Sequence, residues 1–349
     1  MYHFSLPQPG RKPGGVEVFV DRLAVALQLR GHDIEVLTYS PAPPGAPYRV
    51  RRMHPYSTVH RRILRQYGSP WLLNLQSLSG FDVAHFHGDD WFLFRRPLPV
   101  VRTFHGSALL ESLSAASILR RLDKALVFPL ELLAGSMATS TYGVGVDSEI
   151  LYQTDGLLNL GIDLPDRVHQ PSPNPSIMFI GTWEGRKRGA FLHEVFTREI
   201  RPAMPDVELW MVSDRCEPSD GVQWIKTPSD HELSDRLSRS WSFCLPSTYE
   251  GFGIPYLEAM AHGVPVVASP NPGARSLLEG GRSGILAEDG ELGSRLIELL
   301  RTPDLRESLA SEGQRRAGEY SWERMAERHE QAYEQAIERW RPNVRHRLR

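Results

Sequence analysis

The stretch that decides the fold is Leu245-Pro246-Ser247-Thr248-Tyr249-Glu250-Gly251-Phe252-Gly253-Ile254-Pro255-Tyr256-Leu257-Glu258-Ala259-Met260-Ala261-His262-Gly263-Val264-Pro265-Val266-Val267. A strand ends at Leu245. Two glycines then let bare backbone come close to a ligand. Pro255 stands at a helix start, where its missing N–H costs nothing. Gly263 ends that helix, and a strand follows. The helix start offers free N–H groups and a positive dipole end, which suits an anion such as phosphate. Glu250 falls in the loop before the helix and Glu258 in its expected first turn. A carboxylate there either complements the dipole or accepts two hydrogen bonds from a diol such as a ribose.

Outward from this stretch, apolar runs alternate with amphipathic ones. Strands are expected at Tyr2–Leu6, Asp33–Tyr39, Val83–Phe86, Val100–Phe104 and Ser136–Ser140. A second series follows at Ser176–Ile180, Val207–Ser213, Ser242–Leu245 and Val264–Ala268. Helices are expected at Val16–Arg30, Ala190–Ile200, Glu232–Ser238, Pro255–His262 and Ser321–Trp340, the last packing through Trp322, Met325, Tyr333 and Ile337. Such alternation predicts an α/β chain with parallel sheets wrapped by helices. Its 349 residues suit two domains. The boundary falls at Asp163–Ser176, punctuated by Pro165, Pro171, Pro173 and Pro175. Two such domains leave a cleft, and ligands of open α/β sheets sit beyond the carboxyl ends of the strands.

Composition narrows the function. A net charge of −2 gives no reason to expect bulk nucleic-acid binding. Cys216 and Cys244 build no disulfide framework, fit a reducing compartment, and read as core residues. No basic head precedes an apolar run at the start, and Ala125–Ala134, the longest apolar candidate, is too short to span a membrane and contains Pro129 and Glu131. A cytoplasmic location is expected, free or peripheral at the inner membrane face. From Pro41 to Gly80 there is no acidic residue, while Arg49, Arg51, Arg52, Arg61, Arg62 and Arg65 interleave with Tyr48, Tyr56, Ile63, Leu64, Tyr67 and Trp71. This basic 49–65 stretch suits an anionic membrane surface or an anionic acceptor. It equally suits a solvated helix face.

The Glu250–Glu258 segment resembles the donor-binding motif of retaining glycosyltransferases of family 4, which have the two-domain GT-B fold. Their signature is Glu, seven residues, Glu, with Gly-Phe-Gly after the first and Glu-Ala-Met-Ala-x-Gly-x-Pro-Val-Val around the second. Gly14-Gly15-Val16-Glu17, Phe81–Gly88, Val100–Gly106 and Leu160-Gly161-Ile162-Asp163 resemble other family segments, so the likeness runs from Gly14 to about Trp322. It implies two Rossmann-like domains facing each other across a cleft. Residues 1–165, joined by a C-terminal helix over about 323–349, would take the acceptor; residues 172–322 would take the donor.

The resemblance further implies metal-independent transfer of a hexosyl group from a nucleotide diphosphate-sugar to a hydroxyl acceptor, with no cofactor. The donor would be held by Gly14, Gly15, Arg186, Lys187, Glu250, Gly251, Phe252, Gly253, Ile254 and Glu258. His105, Lys187 and Glu250 would serve catalysis. His87, Asp89 and Asp90 are candidate acceptor contacts, though Asp89-Asp90-Trp91 reads equally as a capping turn. Lys226-Thr227-Pro228 is the expected base-contacting loop. Two departures stand out: Thr182 occupies a usual Arg position, and Ser276 replaces a frequent Glu. His85, His87 and His105 could form a zinc site, but no carboxylate pattern accompanies them. Nucleotide-sugar epimerases and non-catalytic nucleotide-sugar binders of the same fold are the alternatives.

Overall fold

The computed structural model describes residues 1–11, 14–53, 67–114, 118–165 and 169–347. Tyr56, Arg61, Arg62, Ile63, Leu64 and Arg65 of the basic stretch lie outside the described residues. The chain forms two compact units, Met1–Gly161 with Trp322–Arg349, and Ile162–Ser321. It therefore passes from the first to the second after Gly161 and returns after Ser321. No helix among the described residues is long and apolar enough to cross a membrane.

The first unit contains β1 (Glu35–Thr38), β2 (Arg49–Arg52), β3 (Ala84–Phe86), β4 (Val100–Phe104) and β5 (Ser140–Gly143), all paired in parallel. Tyr2 is bridged in parallel to Leu37 and to Phe86, so the initial segment lies between β1 and β3. Counting that segment first, the strands run 3-2-1-4-5-6 across the sheet, the order of dinucleotide-binding folds. The expected Tyr2–Leu6 strand is thus reduced to a bridge at Tyr2, although Phe4 and Leu6 remain buried.

The expected Ser136–Ser140 strand is corrected. Ser136 ends the Ile118–Ser136 helix, its Oγ donating to Leu133 O at 2.8 Å, and the strand is β5, beginning at Ser140. The final helix, Trp322–Arg347, packs on the Gly15–Leu29 helix through Ala326 and the His329 ring, which lies 5.8 Å from Phe19, and on β4 and β5 through Ala332 and Ala336, which cluster with Val101 and Tyr142; Met325 is buried as well. Ala326, His329, Ala332 and Ala336 are small or polar, so large apolar residues alone do not mark this seam.

The second unit contains β6 (Ser176–Ile180), β7 (Glu208–Val212), β8 (Val222–Ile225), β9 (Ser242–Leu245), β10 (Val266–Ala268) and β11 (Ile285–Leu286). All pairs are parallel and the order is β11-β10-β9-β6-β7-β8, again 3-2-1-4-5-6. Ile177, Met178 and Phe179 of β6 are fully buried, because helices cover both faces of a parallel sheet. The order reverses between β6 and β9, and ligands of such sheets bind where the carboxyl ends of those two strands part. Cys244 lies in β9 and is buried, but Cys216, in the loop after β7, is only half-buried and is no core residue.

Candidate active site

The loops leaving β6 and β9 bring together the charged residues expected for the donor. After β6, Gly181 leads into a tight turn, Gly185–Lys187. A Cβ on Gly181 would stand 2.9 Å from both Lys187 Cβ and the Phe179 ring, so only glycine lets the turn fold back on the strand end. Thr182 Oγ1 donates within that loop to Glu184 O at 2.7 Å. After β9, Thr248 N donates to Arg186 O at 2.9 Å and fastens the two loops together.

Glu250 is the centre of this arrangement. Its side chain is nearly buried and accepts from Arg186 Nη1 at 2.7 Å, Lys187 Nζ at 2.6 Å and Ser247 Oγ at 2.6 Å. Burial alone would raise its pKa. The hydrogen bonds of Arg186, Lys187 and Ser247 and the Lys187 charge outweigh burial and hold the carboxyl below its ordinary range. Burial pulls the Lys187 ammonium down despite the Glu250 charge beside it. Arg186 also donates to Tyr249 O at 2.7 Å and leaves about half its side chain exposed. Two cations and one carboxylate are thus gathered at the reversal of strand order.

The Gly251-Phe252-Gly253 turn follows. Gly253 adopts a left-handed conformation, φ 97°, and caps the Ile254–Ala261 helix. A Cβ there would meet Tyr256 Cδ2 at 2.5 Å. Phe252 sets its ring edge against Tyr320, centroids 5.6 Å apart. Glu258 is the fifth residue of this helix and lies in its second turn, which corrects the expectation of the first. It cannot complement the dipole of the helix start. Its carboxyl is half-buried with no hydrogen-bond partner among the described residues; burial, then the charge of Asp230, lift its pKa from 4.5 to about 7.

Sequence reasoning missed Asn271. It is buried, and its Nδ2 donates to Ser247 O, Ser269 O and Tyr256 Oη, each at 3.1 Å. Its Oδ1 accepts from Ala274 N at 2.9 Å, capping the Pro272–Leu277 helix. Gly273 N then donates to Glu250 O at 2.8 Å, and a Cβ on Gly273 would stand 2.7 Å from Phe252 O. Asn271 and Gly273 therefore set the backbone of the Glu250 loop. The signal was the Asn-Pro-Gly string, which reads as an ordinary turn. Ser276 lies in the same short helix, its carbonyl accepting from Arg316 Nη2 at 3.3 Å.

In the first unit, Gly14 and Gly15 are exposed at the start of the Gly15–Leu29 helix. Glu17 turns back over them, accepting from Gly14 N at 3.3 Å and from Ser5 Oγ and Arg11 Nη2. His105 follows β4, half-buried, with Nε2 at 3.1 Å from His87 Nδ1. His87 itself is buried, 3.9 Å from the His85 ring by centroid; His85 bonds to Tyr333 Oη and Thr103 Oγ1, both at 2.8 Å. Burial, reinforced by neighbouring rings, holds His85 and His87 well below the ordinary range and takes His105 down to about 3.

Two acceptor expectations are corrected here. His87 faces the interior, and Asp90 is fully buried in an ion pair with Arg102, with Arg96 Nη2 at 3.4 Å. A buried guanidinium needs that carboxylate, which explains why Asp90 turns inward. Asp89 stays half-exposed with φ 54°. Among the described residues no group of three His, Cys, Asp or Glu side chains could hold a metal ion.

Comparison with known proteins identifies what the chain is similar to. Residues 13–140 match the family model described as Glycosyltransferase Family 4, and residues 211–316 match Glycosyl transferases group 1. The chain is 26% identical to a phosphatidyl-myo-inositol mannosyltransferase of Mycobacterium leprae, over 92% of this chain and 93% of that protein. Among solved structures, sucrose-phosphate synthase from Thermosynechococcus elongatus superposes with a TM-score of 0.72 at 19% identity, covering 92% of this chain and 93% of that one. Anabaena HepE in complex with UDP and glucose gives 0.65 at 17% identity, covering 94% and 97%.

Proposed function

The chain belongs to the family-4 glycosyltransferases, hexosyl-transferring enzymes of the GT-B fold, and on that premise we propose that it moves a sugar from a nucleotide diphosphate donor to a hydroxyl acceptor with retention of configuration and without a metal. The carrying observation is the nearly buried Glu250 carboxylate, held ionised by Arg186 and Lys187 at the reversal of strand order. In this reading Arg186 and Lys187 neutralise the diphosphate and stabilise the charge that grows on it as the glycosidic bond breaks. Positioned charges of this kind supply a large share of catalysis, and losing one costs about 100- to 1000-fold. Glu250 is shared between the two cations and the sugar hydroxyls. Gly251, Phe252 and Gly253 offer backbone to the sugar, Ile254 lines the helix start, and Glu258 accepts from the ribose diol. The UDP-bound relative supports a nucleotide donor.

From the first unit we assign Gly14 and Gly15, whose exposed backbone can approach a phosphate, and His105. An imidazole with its pKa near 3 is neutral at working pH, so His105 acts by hydrogen bonding and by its carbonyl rather than as an acid. The departing phosphate takes the acceptor's proton as the acceptor oxygen bonds the anomeric carbon on the same face. No protein nucleophile is required, and turnover unchanged by a chelator is expected. The free thiols of Cys216 and Cys244 suit a reducing cytoplasm.

The test joins binding to turnover. UDP, GDP, dTDP and ADP are screened by thermal shift; a nucleotide at 100 times its Kd stabilises by about 2.7 kcal/mol. Lys187→Ala and Glu250→Ala are then assayed for transfer with the donor so identified. Losses of 100-fold or more are expected. Turnover equal to the parent enzyme in both variants overturns the assignment, and donor conversion without an acceptor identifies an epimerase instead.

A further inference from the structure

His87 and His105 each stand one residue beyond a strand, β3 and β4, and those strands pair in parallel. His87 N donates to Tyr2 O at 3.1 Å, so the initial segment fixes the main chain beneath this ring. Packing fixes the rings themselves. Phe19 meets both of them edge-on, its centroid 5.6 Å from that of His87 and 5.0 Å from that of His105. The His85 ring lies 3.9 Å from His87. Both nitrogens of His85 are engaged, one by Tyr333 Oη and one by Thr103 Oγ1, so His85 walls His87 in without exchanging a proton with it.

One hydrogen bond joins the pair, between His87 Nδ1 and His105 Nε2 at 3.1 Å, so one ring must donate and the other accept. Burial, reinforced by the basic groups His3, His85, His329 and Arg102, keeps both rings neutral, and a neutral imidazole carries a single N–H. If His105 donated, the proton of His87 would sit on Nε2, which is buried and has no hydrogen-bond partner among the described residues. A buried N–H without a partner is rarer than a buried acceptor without one. The His87 proton therefore belongs on Nδ1, where a partner waits. His105 Nε2 then accepts, and the His105 proton sits on Nδ1. His105 is half-buried, and its Nδ1 has no hydrogen bond among the described residues.

We infer that His87 is a positioning residue for His105: its Nδ1–H donates to His105 Nε2, holds the His105 proton on Nδ1, and makes the open edge of that ring a hydrogen-bond donor to a substrate oxygen. The part in transfer rests on His105 touching the sugar, as proposed above; the place of the proton does not. A histidine is commonly oriented by a carboxylate, which also draws a proton onto the ring. Neither ring here bonds a carboxylate among the described residues, so His105 is oriented by a neutral donor and stays neutral while it works. With its proton on the other nitrogen, His105 would turn a lone pair toward the substrate oxygen and demand a hydroxyl proton instead of supplying one.

Long-range proton–nitrogen NMR on the full chain, labelled at histidine, reads each ring's tautomer without donor or acceptor. The His105 signals are those lost in His105→Asn. The parent is expected to show the His105 proton on Nδ1. His87→Leu removes the orienting N–H, and the His105 proton should then move to Nε2 or divide between the two nitrogens. His87→Asn keeps an N–H close to the place of Nδ1 and should keep the parent tautomer. In transfer assays with the donor found by thermal shift, His87→Leu should be about 10- to 100-fold slower, with most of the loss in kcat rather than KM. His87→Asn should restore most of that loss. Should His87→Leu not fold, the parent spectrum and His87→Asn decide. A proton on His105 Nε2 in the parent overturns the proposal. So does a lowered melting temperature in His87→Leu with the His105 tautomer unchanged, or a His87→Asn variant as slow as His87→Leu. Parent-like kcat in His87→Leu beside a changed tautomer overturns the part in transfer, whereas failure of the donor-site reading shows separately, in Lys187→Ala and Glu250→Ala.

Discussion

Replacing Glu258 by Gln should make the protein more stable and less able to hold a nucleotide. The carboxyl is half-buried, lacks a hydrogen-bond partner among the described residues, and faces the charge of Asp230, so its pKa stands at about 7 against an ordinary 4.5. For an acid raised in this way, the folded state holds the proton more tightly than the unfolded one. The stabilisation is complete below 4.5 and is lost as pH rises through about 7. The interval corresponds to ~3 kcal/mol. Glutamine keeps the shape of the protonated acid and never ionises, so it avoids this loss. Variant and parent should melt close together near pH 5 and diverge by pH 8. A shift of ~2–4 °C per kcal/mol for a domain of this size gives roughly 6–12 °C at pH 8. Thermal unfolding at both pH values, with and without the nucleotide found in the screen, measures it. The parent should gain from nucleotide and the variant gain far less, since an amide offers one acceptor oxygen where a diol needs two. A melting difference that is the same at pH 5 and pH 8 would refute the reasoning, as would a variant less stable at both.

Three further outcomes follow from the structure. Gly253→Ala forces a side chain into φ 97° with its Cβ 2.5 Å from the Tyr256 ring; a loss of at least ~1–2 kcal/mol is expected in urea unfolding. Asn271→Ala removes the donor to Ser247 O and Ser269 O in the interior, while the Tyr256 hydroxyl keeps Leu245 O, costing about 1–3 kcal/mol, with nucleotide affinity falling alongside because the Glu250 loop loses its brace. His329 is buried and burial takes its pKa from 6.5 to about 4, so this site destabilises the fold as pH falls between those values. His329→Leu cannot bind that proton, and its acid-unfolding midpoint, followed by near-UV circular dichroism, should move to lower pH.

Much of the site was legible because its parts are local in the chain. Ser176–Ile180 and Ser242–Leu245 are short, continuous apolar runs, and both are strands with those bounds. The loops that follow them carry Arg186, Lys187 and Glu250, and strand pairing alone brings those loops together. What spacing could not show depends on three-dimensional neighbours. Glu258 fell a turn too early in the reading because the left-handed Gly253 sets the helix start at Ile254. Asn271 looked like a turn residue, since its partners lie up to 24 positions away. Asp90 looked exposed until Arg102, from the next strand, drew it inward. The Ile118–Ser136 helix takes in Ser136, where a strand was expected to begin, and no helix was expected there because Pro129 and the short apolar run Ala125–Ala134 interrupt the pattern.

The return of the chain after Ser321 has a consequence for how the molecule comes into being. Phe19 of the first helix rests against Trp322 and His329, with ring centroids 5.8 Å from each, and Ala326 fills the same cluster. A ribosome delivers Phe19 early and those partners some three hundred residues later, at about 5–20 residues per second. The unit that is begun first is therefore finished last, while Ile162–Ser321 can close as one uninterrupted length. For an interval on the order of tens of seconds the nascent amino-terminal half shows a greasy seam awaiting its cover, and in that window a chaperone would find its clearest handle.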